Sequence, residues 1–306
     1  MKLNKRGFLK SLIAVPVLVS MGLVRPGAVP SRKAIKGEGG NLKTSLNAYS
    51  FNEPLSKGEM DLDDLLEFCA SHHFDAVDLT GYYFPGYPEV PSDRYIYDIK
   101  RKAFRLGLEI SGTGVRNDFT DPDQSRRKKD IELVKNWILA AEKMGAPVIR
   151  IFSGTQNPEG YSWEQVAEWM MKDIQECITF GKNHGVVVAV QNHNDFIQTA
   201  DHVEKLMQKI GSPWFGLILD TGSYGAGDPY EEIAKSIPYA VSWQIKEKIN
   251  RNGKEEEIEL EKLLALIKSS DYSGYLPIET LGPGNPFEKV PFFLEKVRLA
   301  LEKDYS

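Results

Sequence analysis

The amino-acid sequence predicts a (β/α)8 barrel, in which eight parallel strands close into a ring and a helix follows each strand. Eight short apolar segments alternate with helix-length stretches, and each apolar segment stops at polar residues. Several helix-length stretches also end in glycine, the residue preferred just after a helix. The segments predicted as strands are Leu46–Phe51, Ala76–Leu79, Leu108–Ser111, Val148–Phe152, Val186–Gln191, Phe215–Asp220, Ala240–Lys246 and Gly274–Glu279.

The segment before the first strand is typical of an export signal. Residues 1–28 begin with basic residues and continue into an apolar run from Leu12 to Val24. That run is shorter than the roughly 20 residues of a membrane span, so we expect a cleaved signal peptide and no membrane span. The order Lys5-Arg6-Gly7-Phe8-Leu9-Lys10 is similar to a twin-arginine leader, while an ordinary secretory leader or an uncleaved N-terminal anchor stays open.

The remaining chain has the length and composition of one globular domain. We expect a linker over residues 29–41 and a single barrel over residues 42–306, close to the usual barrel length of roughly 250 residues. Hydrophobic residues make up 42% of the chain and charged residues 26%, which is ordinary for a globular protein. The signal peptide further implies a periplasmic protein. The sequence leaves a homo-oligomer open.

Charge and cysteine content exclude two classes of protein. The net charge of −5 argues against a nucleic-acid partner, which requires a basic surface, but is compatible with a small polar substrate. Cys69 and Cys177 have apolar neighbours within predicted helices. We therefore expect buried free thiols rather than a disulfide framework.

Helix signals fill the gaps between the strands. The stretch Asp61–Phe68 opens with acidic residues, which favour a helix start, and then repeats apolar residues at a spacing of three to four. The same spacing predicts helices over Arg126–Met144, Trp163–His184 and Ala200–Ile210. Gly107, Gly145 and Gly185 mark turns from a helix into the next strand.

The segments that follow the strands are expected to form the substrate pocket, because barrel enzymes build their sites there. After the second strand comes the aromatic loop Gly81–Pro88, in which Tyr82 is a candidate for stacking on a sugar; a packed lid is the alternative. Asn117 follows the third strand and is a candidate by position. Arg150 lies in the fourth strand and either binds substrate or pairs with an acid inside the barrel.

Four oxygen-bearing side chains lie at the ends of the last four strands of the barrel. They are Gln191, Asp220, Gln244 and Glu279. An all-oxygen set with two carboxylates suits Mg²⁺, Mn²⁺ or Ca²⁺ better than Zn²⁺, so we predict a divalent metal, Mn²⁺ or Mg²⁺ first. The alternative is that these side chains hydrogen-bond to one another.

Two further residues are candidates for the chemistry. His193 is the one histidine of five near a predicted strand end, which makes it a candidate substrate ligand or proton shuttle. Lys246 could bind a substrate oxygen or stabilise an enolate, whereas a salt bridge with Glu247 or Glu279 is the structural alternative.

Four motifs resemble those of the xylose-isomerase-like barrels, a family of sugar phosphate isomerases and epimerases and relatives of AP endonuclease. The motifs are Val190–Asn194, Leu219–Gly222, Gln244–Glu247 and Gly274–Glu279, and the resemblance covers about residues 44–300. In many members the matching positions are Glu, Asp, His and Glu around one divalent metal. Here glutamine replaces the first Glu at position 191 and the His at position 244.

The resemblance implies a metal-assisted isomerase or epimerase that acts on a sugar or sugar derivative. Ketose 3-epimerases with this fold use two glutamates, but Gln191 cannot exchange protons at ordinary pH. Glu279 is therefore expected to act as the single base, removing a proton next to a carbonyl. The alternatives are a lyase or hydratase acting on 3-keto-sugars or 3-keto-glycosides, and a sugar-binding barrel without catalysis.

Overall fold

The segments predicted as strands close into one barrel in the computed structural model, which describes residues 41–303 apart from 194, 195 and 226. All eight barrel strands are parallel to their neighbours and follow one another around the ring in the order β1, β10, β7, β6, β5, β4, β3, β2. The barrel strands are β1 (Leu42–Asn47), β2 (Ala76–Thr80), β3 (Glu109–Gly114), β4 (Val148–Ile151), β5 (Val187–Gln191), β6 (Phe215–Asp220), β7 (Ala240–Lys246) and β10 (Gly274–Glu279).

Helices follow the strands as the sequence predicts, and their ends carry the expected caps. At Asp61 the side chain accepts from the backbone of Asp64, whose side chain accepts from Asp61 in return, which starts the second helix. Gly145 ends the fourth helix at a φ of 81°, a conformation that favours glycine. The helices are α1 (Asn52–Lys57), α2 (Leu62–Ser71), α3 (Asp93–Arg105), α4 (Gln124–Met144), α5 (Trp163–Asn183), α6 (Ala200–Ile210), α7 (Pro229–Ser236), α8 (Leu260–Lys268) and α9 (Pro286–Leu301).

The first strand differs from its prediction. It begins at Leu42 and ends at Asn47, whereas the sequence pattern predicted a strand over Leu46–Phe51. The Asn47 side chain accepts a hydrogen bond of 2.9 Å from the backbone of Tyr49 and turns the chain into a 3-10 helix over Ala48–Phe51. The apolar residues after Asn47 are buried, but as a turn rather than as a strand.

A two-stranded hairpin projects after the seventh barrel strand and was not predicted. Its strands are β8 (Lys248–Arg251) and β9 (Lys254–Glu257), paired antiparallel. Asn252 and Gly253 connect them with φ values of 53° and 81°. Two successive positive φ angles are those of a type I′ turn, and an Asn-Gly pair is the sequence signal for it.

The interior of the barrel is layered along its axis. At the end where the strands begin, Glu109 accepts hydrogen bonds from Lys43 and Tyr275. Above them Ser45 and Ser111 share a buried hydrogen bond of 2.7 Å. A small apolar cluster is formed by Val148, Ala189 and Ile218. The polar site lies beyond this filling, at the end where the strands finish.

The larger apolar core lies between the barrel and its helices. Both cysteines, Cys69 and Cys177, are buried free thiols, as expected. Within the part of the chain that the structure describes, every helix is too short or too polar to cross a membrane. The expected signal peptide over residues 1–28 and most of the expected linker over residues 29–41 lie outside the described residues.

Candidate functional site

A cavity of about 400 Å³ opens where the barrel strands end, and it brings the predicted site residues together. Asp220 lies beneath this cavity and has no exposed surface. Its wall includes Tyr49, Phe152 and Thr155, which the sequence analysis did not select. The predicted residues that line the cavity are Tyr82, Asn117, Arg150, Gln191, His193, Gln244, Lys246 and Glu279.

Two glutamines and an aspartate form a hydrogen-bonded row across strands β5, β6 and β7. Gln191 donates from Nε2 to Asp220 Oδ2 at 2.7 Å and to Gln244 Oε1 at 2.6 Å. The carboxylate of Asp220 fixes this orientation, because only the NH2 end of an amide can face an ionised acid. Oε1 of Gln191 is buried and has no hydrogen-bond partner among the described residues.

Lys246 joins this row to Glu279. Its Nζ contacts Glu279 Oε1 and lies 3.4 Å from Asp220 Oδ2. Burial would lower the pKa of Lys246, but the two carboxylates outweigh burial and raise the pKa to about 12. Lys246 is therefore an ammonium at neutral pH, bound to both acids of the site.

The sequence after Asp220 explains how this lysine is held. Thr221 Oγ1 accepts a hydrogen bond of 3.0 Å from the backbone of Lys246. Gly222 leaves room for the lysine stem, since a Cβ at that position would lie 2.9 Å from Lys246 Cγ and 2.9 Å from the Lys248 carbonyl oxygen. Gly222 also donates to Asp220 Oδ1 at 3.0 Å, so both oxygens of Asp220 have partners.

Arg150 occupies the opposite wall and reaches the cavity over a glycine. A Cβ at Gly114 would lie 2.7 Å from Arg150 Nε, so glycine is needed there. Nη2 donates to Tyr82 Oη at 3.0 Å, and the guanidinium lies 4.1 Å from the centre of the Phe152 ring. Nη1 of Arg150 is buried without a hydrogen-bond partner among the described residues, which leaves one donor for a ligand oxygen.

The roles of Asn117 and His193 are narrower than the sequence indicated. Asn117 exchanges two hydrogen bonds with the backbone of Phe152, at 2.8 and 2.9 Å, so both ends of its amide are occupied. It positions the Phe152 ring rather than offering a polar group to a substrate. His193 is exposed at the cavity rim and its ring lies 5.0 Å from the Phe152 ring, edge to face.

Asp78 is the charged residue of the barrel interior that the sequence analysis missed. It lies on β2 and is 7% exposed. Burial raises the pKa of Asp78 to about 6, against the opposing effect of Arg150 and with a further increase from Glu279. The available signal was a single acid within the apolar run Ala76–Leu79, but it does not stand at the end of the segment, where candidates were sought.

As arranged, the four residues predicted to bind a divalent metal do not fit one. Gln191 presents NH2 rather than oxygen to its neighbours, and Gln244 Oε1 accepts from it. Asp220 and Glu279 are both paired with the Lys246 ammonium. Across the described part of the chain, no three His, Cys, Asp or Glu side chains group in a way that could hold a metal ion.

Comparison with known proteins identifies the same architecture. A family model described as Xylose isomerase-like TIM barrel matches residues 66–297. No curated protein sequence is similar enough to count as a match. Solved structures match over most of the chain at low sequence identity, which shows a shared fold.

Three of these structures illustrate the range. D-psicose 3-epimerase with D-tagatose, from Clostridium cellulolyticum H10, is 16% identical, with 85% of this chain and 100% of that chain covered and a TM-score of 0.71. The apo form of 3-keto-D-glucoside 4-epimerase from E. coli is 12% identical, with coverages of 85% and 100% and a TM-score of 0.69. A probable 3-DHS dehydratase from Bacillus anthracis is 18% identical, with coverages of 85% and 99% and a TM-score of 0.62.

Proposed function

The chain belongs to the xylose isomerase-like TIM barrel family, and on that premise we propose that it is an enzyme that isomerises a sugar or sugar derivative. The reaction moves a proton on the carbon next to a carbonyl group. The observation that carries this proposal is the single ionised carboxylate, Glu279, in a cavity whose wall also presents a cation and a buried arginine. Structures with this fold that are named as sugar epimerases support the substrate class.

Glu279 is suited to removing the proton. Among the described residues it is the one carboxylate that lines the cavity. Its pairing with the Lys246 ammonium favours the ionised form, which is the form that can act as a base. Asp220 cannot share this role, because it has no exposed surface and both of its oxygens accept hydrogen bonds.

The proton transfer can be followed atom by atom. Glu279 takes the proton from the carbon next to the carbonyl, and the C–H electron pair forms a C=C bond while the carbonyl oxygen becomes an enolate. Arg150 and Tyr82 line the other wall, where they can bind substrate hydroxyl oxygens. Return of the proton from Glu279 to the neighbouring carbon, with a hydroxyl proton moving between the two oxygens, completes an aldose–ketose isomerisation.

A single base favours isomerisation over inversion of a stereocentre. Epimerisation by two bases needs a second proton carrier on the other face of the substrate carbon. Gln191 stands where the family usually has that glutamate, and an amide does not exchange protons in this way. Its NH2 group is also bound to Asp220 and Gln244.

The competing reactions share the first step or lack it. If the enolate expels a substituent from the next carbon, the product is an unsaturated carbonyl compound and the enzyme is a lyase; the reverse reaction is a hydration. A sugar-binding barrel would hold the same ligand and remove no proton.

Solvent exchange tests the proposal and separates these outcomes. Wild type, Glu279→Gln and the control Glu109→Gln are incubated in D₂O with aldoses, ketoses and 3-keto-glycosides and followed by NMR. We expect the wild type to place deuterium next to the carbonyl and to form the isomer. Loss of a general base costs about 10²–10⁴-fold, so Glu279→Gln should be slowed by that factor, while Glu109→Gln at the far end of the barrel should not.

Three results would count against the proposal. Exchange by Glu279→Gln at the wild-type rate would remove Glu279 from the role of base. A product that has lost a substituent would favour the lyase. Binding of a sugar with no exchange and no product would favour the sugar-binding barrel.

We also propose that the mature protein is exported to the periplasm after removal of residues 1–28. The support is the basic start and the short apolar run of the sequence. N-terminal sequencing of protein from fractionated cells tests it. A periplasmic chain that starts after the apolar run is expected, whereas cytoplasmic protein with an intact Met1 would contradict export.

A further inference from the structure

The arrangement of Lys246 has a consequence for the cation of the site. The four positions that match the family's metal ligands form a continuous set of contacts with the lysine, which runs from Gln244 through Gln191 and Asp220 to Lys246 and Glu279. Each acid of the set contacts Nζ of Lys246. A positive charge therefore already lies between the two carboxylates.

We infer that the Lys246 ammonium takes the place of the divalent cation, so that this chain carries out its proton transfer without a bound metal. The inference deepens the proposed function and rests on it for the reaction, but the absence of a metal requirement concerns the site alone. Three independent observations carry it: the direction of the amides, the balance of charge and the built support of the lysine.

The amides point the wrong way for a metal and the right way for a lysine site. Gln191 uses its NH2 group to bridge Asp220 and Gln244. Turning it to offer Oε1 to a metal would set an oxygen against the Asp220 carboxylate and break both hydrogen bonds. The ligand positions thus satisfy one another without an ion.

The charges lead to the same conclusion. Asp220 and Glu279 supply two negative charges, and Lys246 already offsets one of them. A divalent ion between the same oxygens would lie within a few ångströms of the ammonium and repel it. The ion would have to displace Lys246, whose stem is only 11% exposed and has little room to move.

The support of Lys246 is built into the local sequence. Gly222 provides the space for its stem, and the Thr221 hydroxyl holds its backbone. Both residues directly follow Asp220, so the same turn places the acid and its cation. A lysine that only decorated the surface would need neither feature.

The ammonium can do the part of the chemistry that needs a positive charge. Lys246 lines the cavity beside Glu279. When Glu279 takes the proton, the electron pair moves onto the carbonyl oxygen, and an N–H of Lys246 donates to that oxygen as it becomes an enolate. No proton has to leave the lysine, and no oxidant or reductant is required.

Metal content and metal binding test the inference without a substrate. Purified wild type is analysed for bound metals and titrated with MnCl₂ by calorimetry, beside the triple variant Gln191→Glu, Gln244→His, Lys246→Met. We expect no stoichiometric Mn²⁺ in the wild type and one Mn²⁺ per chain in the variant. One tightly bound Mn²⁺ per wild-type chain would overturn the inference, whether or not the variant folds, and whatever the enzyme's substrate.

Chemical rescue tests the catalytic part. Lys246→Ala removes the ammonium and leaves space for a short primary amine, and Lys43→Ala is the matched control at the other end of the barrel. We expect deuterium exchange by Lys246→Ala to fall by about 10²–10³-fold, the effect of losing one donor to an oxyanion, and to recover partly with ethylammonium chloride. Unchanged exchange in Lys246→Ala, or wild-type exchange abolished by a chelator, would overturn it.

Discussion

The two ends of the barrel each contain a lysine–glutamate pair, and they differ in burial. Where the strands begin, Lys43 and Glu109 lie 2.8 Å apart, with 35% and 48% of their side chains exposed. Where the strands end, Lys246 and Glu279 are in contact with only 11% and 4% exposed. Strand β10 contributes to both ends, through Tyr275 and Glu279.

The difference shows that burial, and not the type of pair, makes one end a site. An exposed ion pair is surrounded by water and contributes about 0–1 kcal/mol. In a buried pair the loss of one partner leaves a charge that nothing offsets, at a cost of about 3–5 kcal/mol. The charges at the exit of the barrel are thus tied to one another and to whatever enters the cavity.

The largest expected contrast is in stability when each lysine is neutralised. Lys246→Met leaves Asp220 and Glu279 buried without a cation, so we expect a loss of about 3–5 kcal/mol in the free energy of unfolding. Lys43→Met should cost less than about 1 kcal/mol. Urea denaturation of the two variants at neutral pH measures both values, and equal losses would show that the ends do not differ.

The next contrast is in the direction of the pH dependence. The pKa of Asp78 is raised from its ordinary 3.8 to about 6, so its ionisation above that pH costs the folded state about 3 kcal/mol, and below about pH 4 it contributes nothing. Asp78→Asn should therefore stabilise the protein increasingly as pH rises through 4 to 6. The measurement is urea denaturation across that range.

Glu109 is the control with the opposite sign. Hydrogen bonds from Lys43 and Tyr275 lower the pKa of Glu109 against the effect of burial. Its contribution to stability is present above its ordinary pKa and is lost as pH falls, so Glu109→Gln should destabilise slightly at neutral pH. If both variants shift stability in the same direction, the assignment of opposite environments is wrong.

A smaller effect is expected from the glycine that makes room for the lysine. Gly222→Ala brings a Cβ to 2.9 Å from Lys246 Cγ and from the Lys248 carbonyl oxygen, so the strand end must shift. Overpacking of this kind costs about 1–3 kcal/mol. Deuterium exchange should fall more than stability does, because Lys246 is displaced; a stability loss with unchanged exchange would contradict the placement of the ammonium.

Most of the fold could be predicted from the sequence because the strand pattern is local. The segment Gly274–Glu279 is a strand with the predicted bounds. The first strand was misplaced because the side chain of Asn47 competes with the ladder and starts a turn, which an apolar run does not reveal. The hairpin around Asn252 and Gly253 was missed although its turn signal is present in the sequence.

The site was predictable in its members but not in its connections. Strand ends indicated which polar residues would meet, and the cavity gathers them. The sequence offered a metal or mutual hydrogen bonds for Gln191 and Gln244, and only the side-chain directions favour the hydrogen bonds. The partner of Lys246 and the burial of Asp78 depend on contacts between distant strands, which no spacing rule expresses.

The 2.7 Å hydrogen bond between Gln191 and Asp220 also bears on how such a site can evolve. Restoring glutamate at position 191 alone would press a second carboxylate against Asp220, and removing Lys246 alone would leave two acids without a cation. Histidine at position 244 alone would remove the oxygen that Gln191 requires. A return to metal binding therefore needs three substitutions whose separate steps each weaken the protein, which makes the lysine arrangement an evolutionary ratchet.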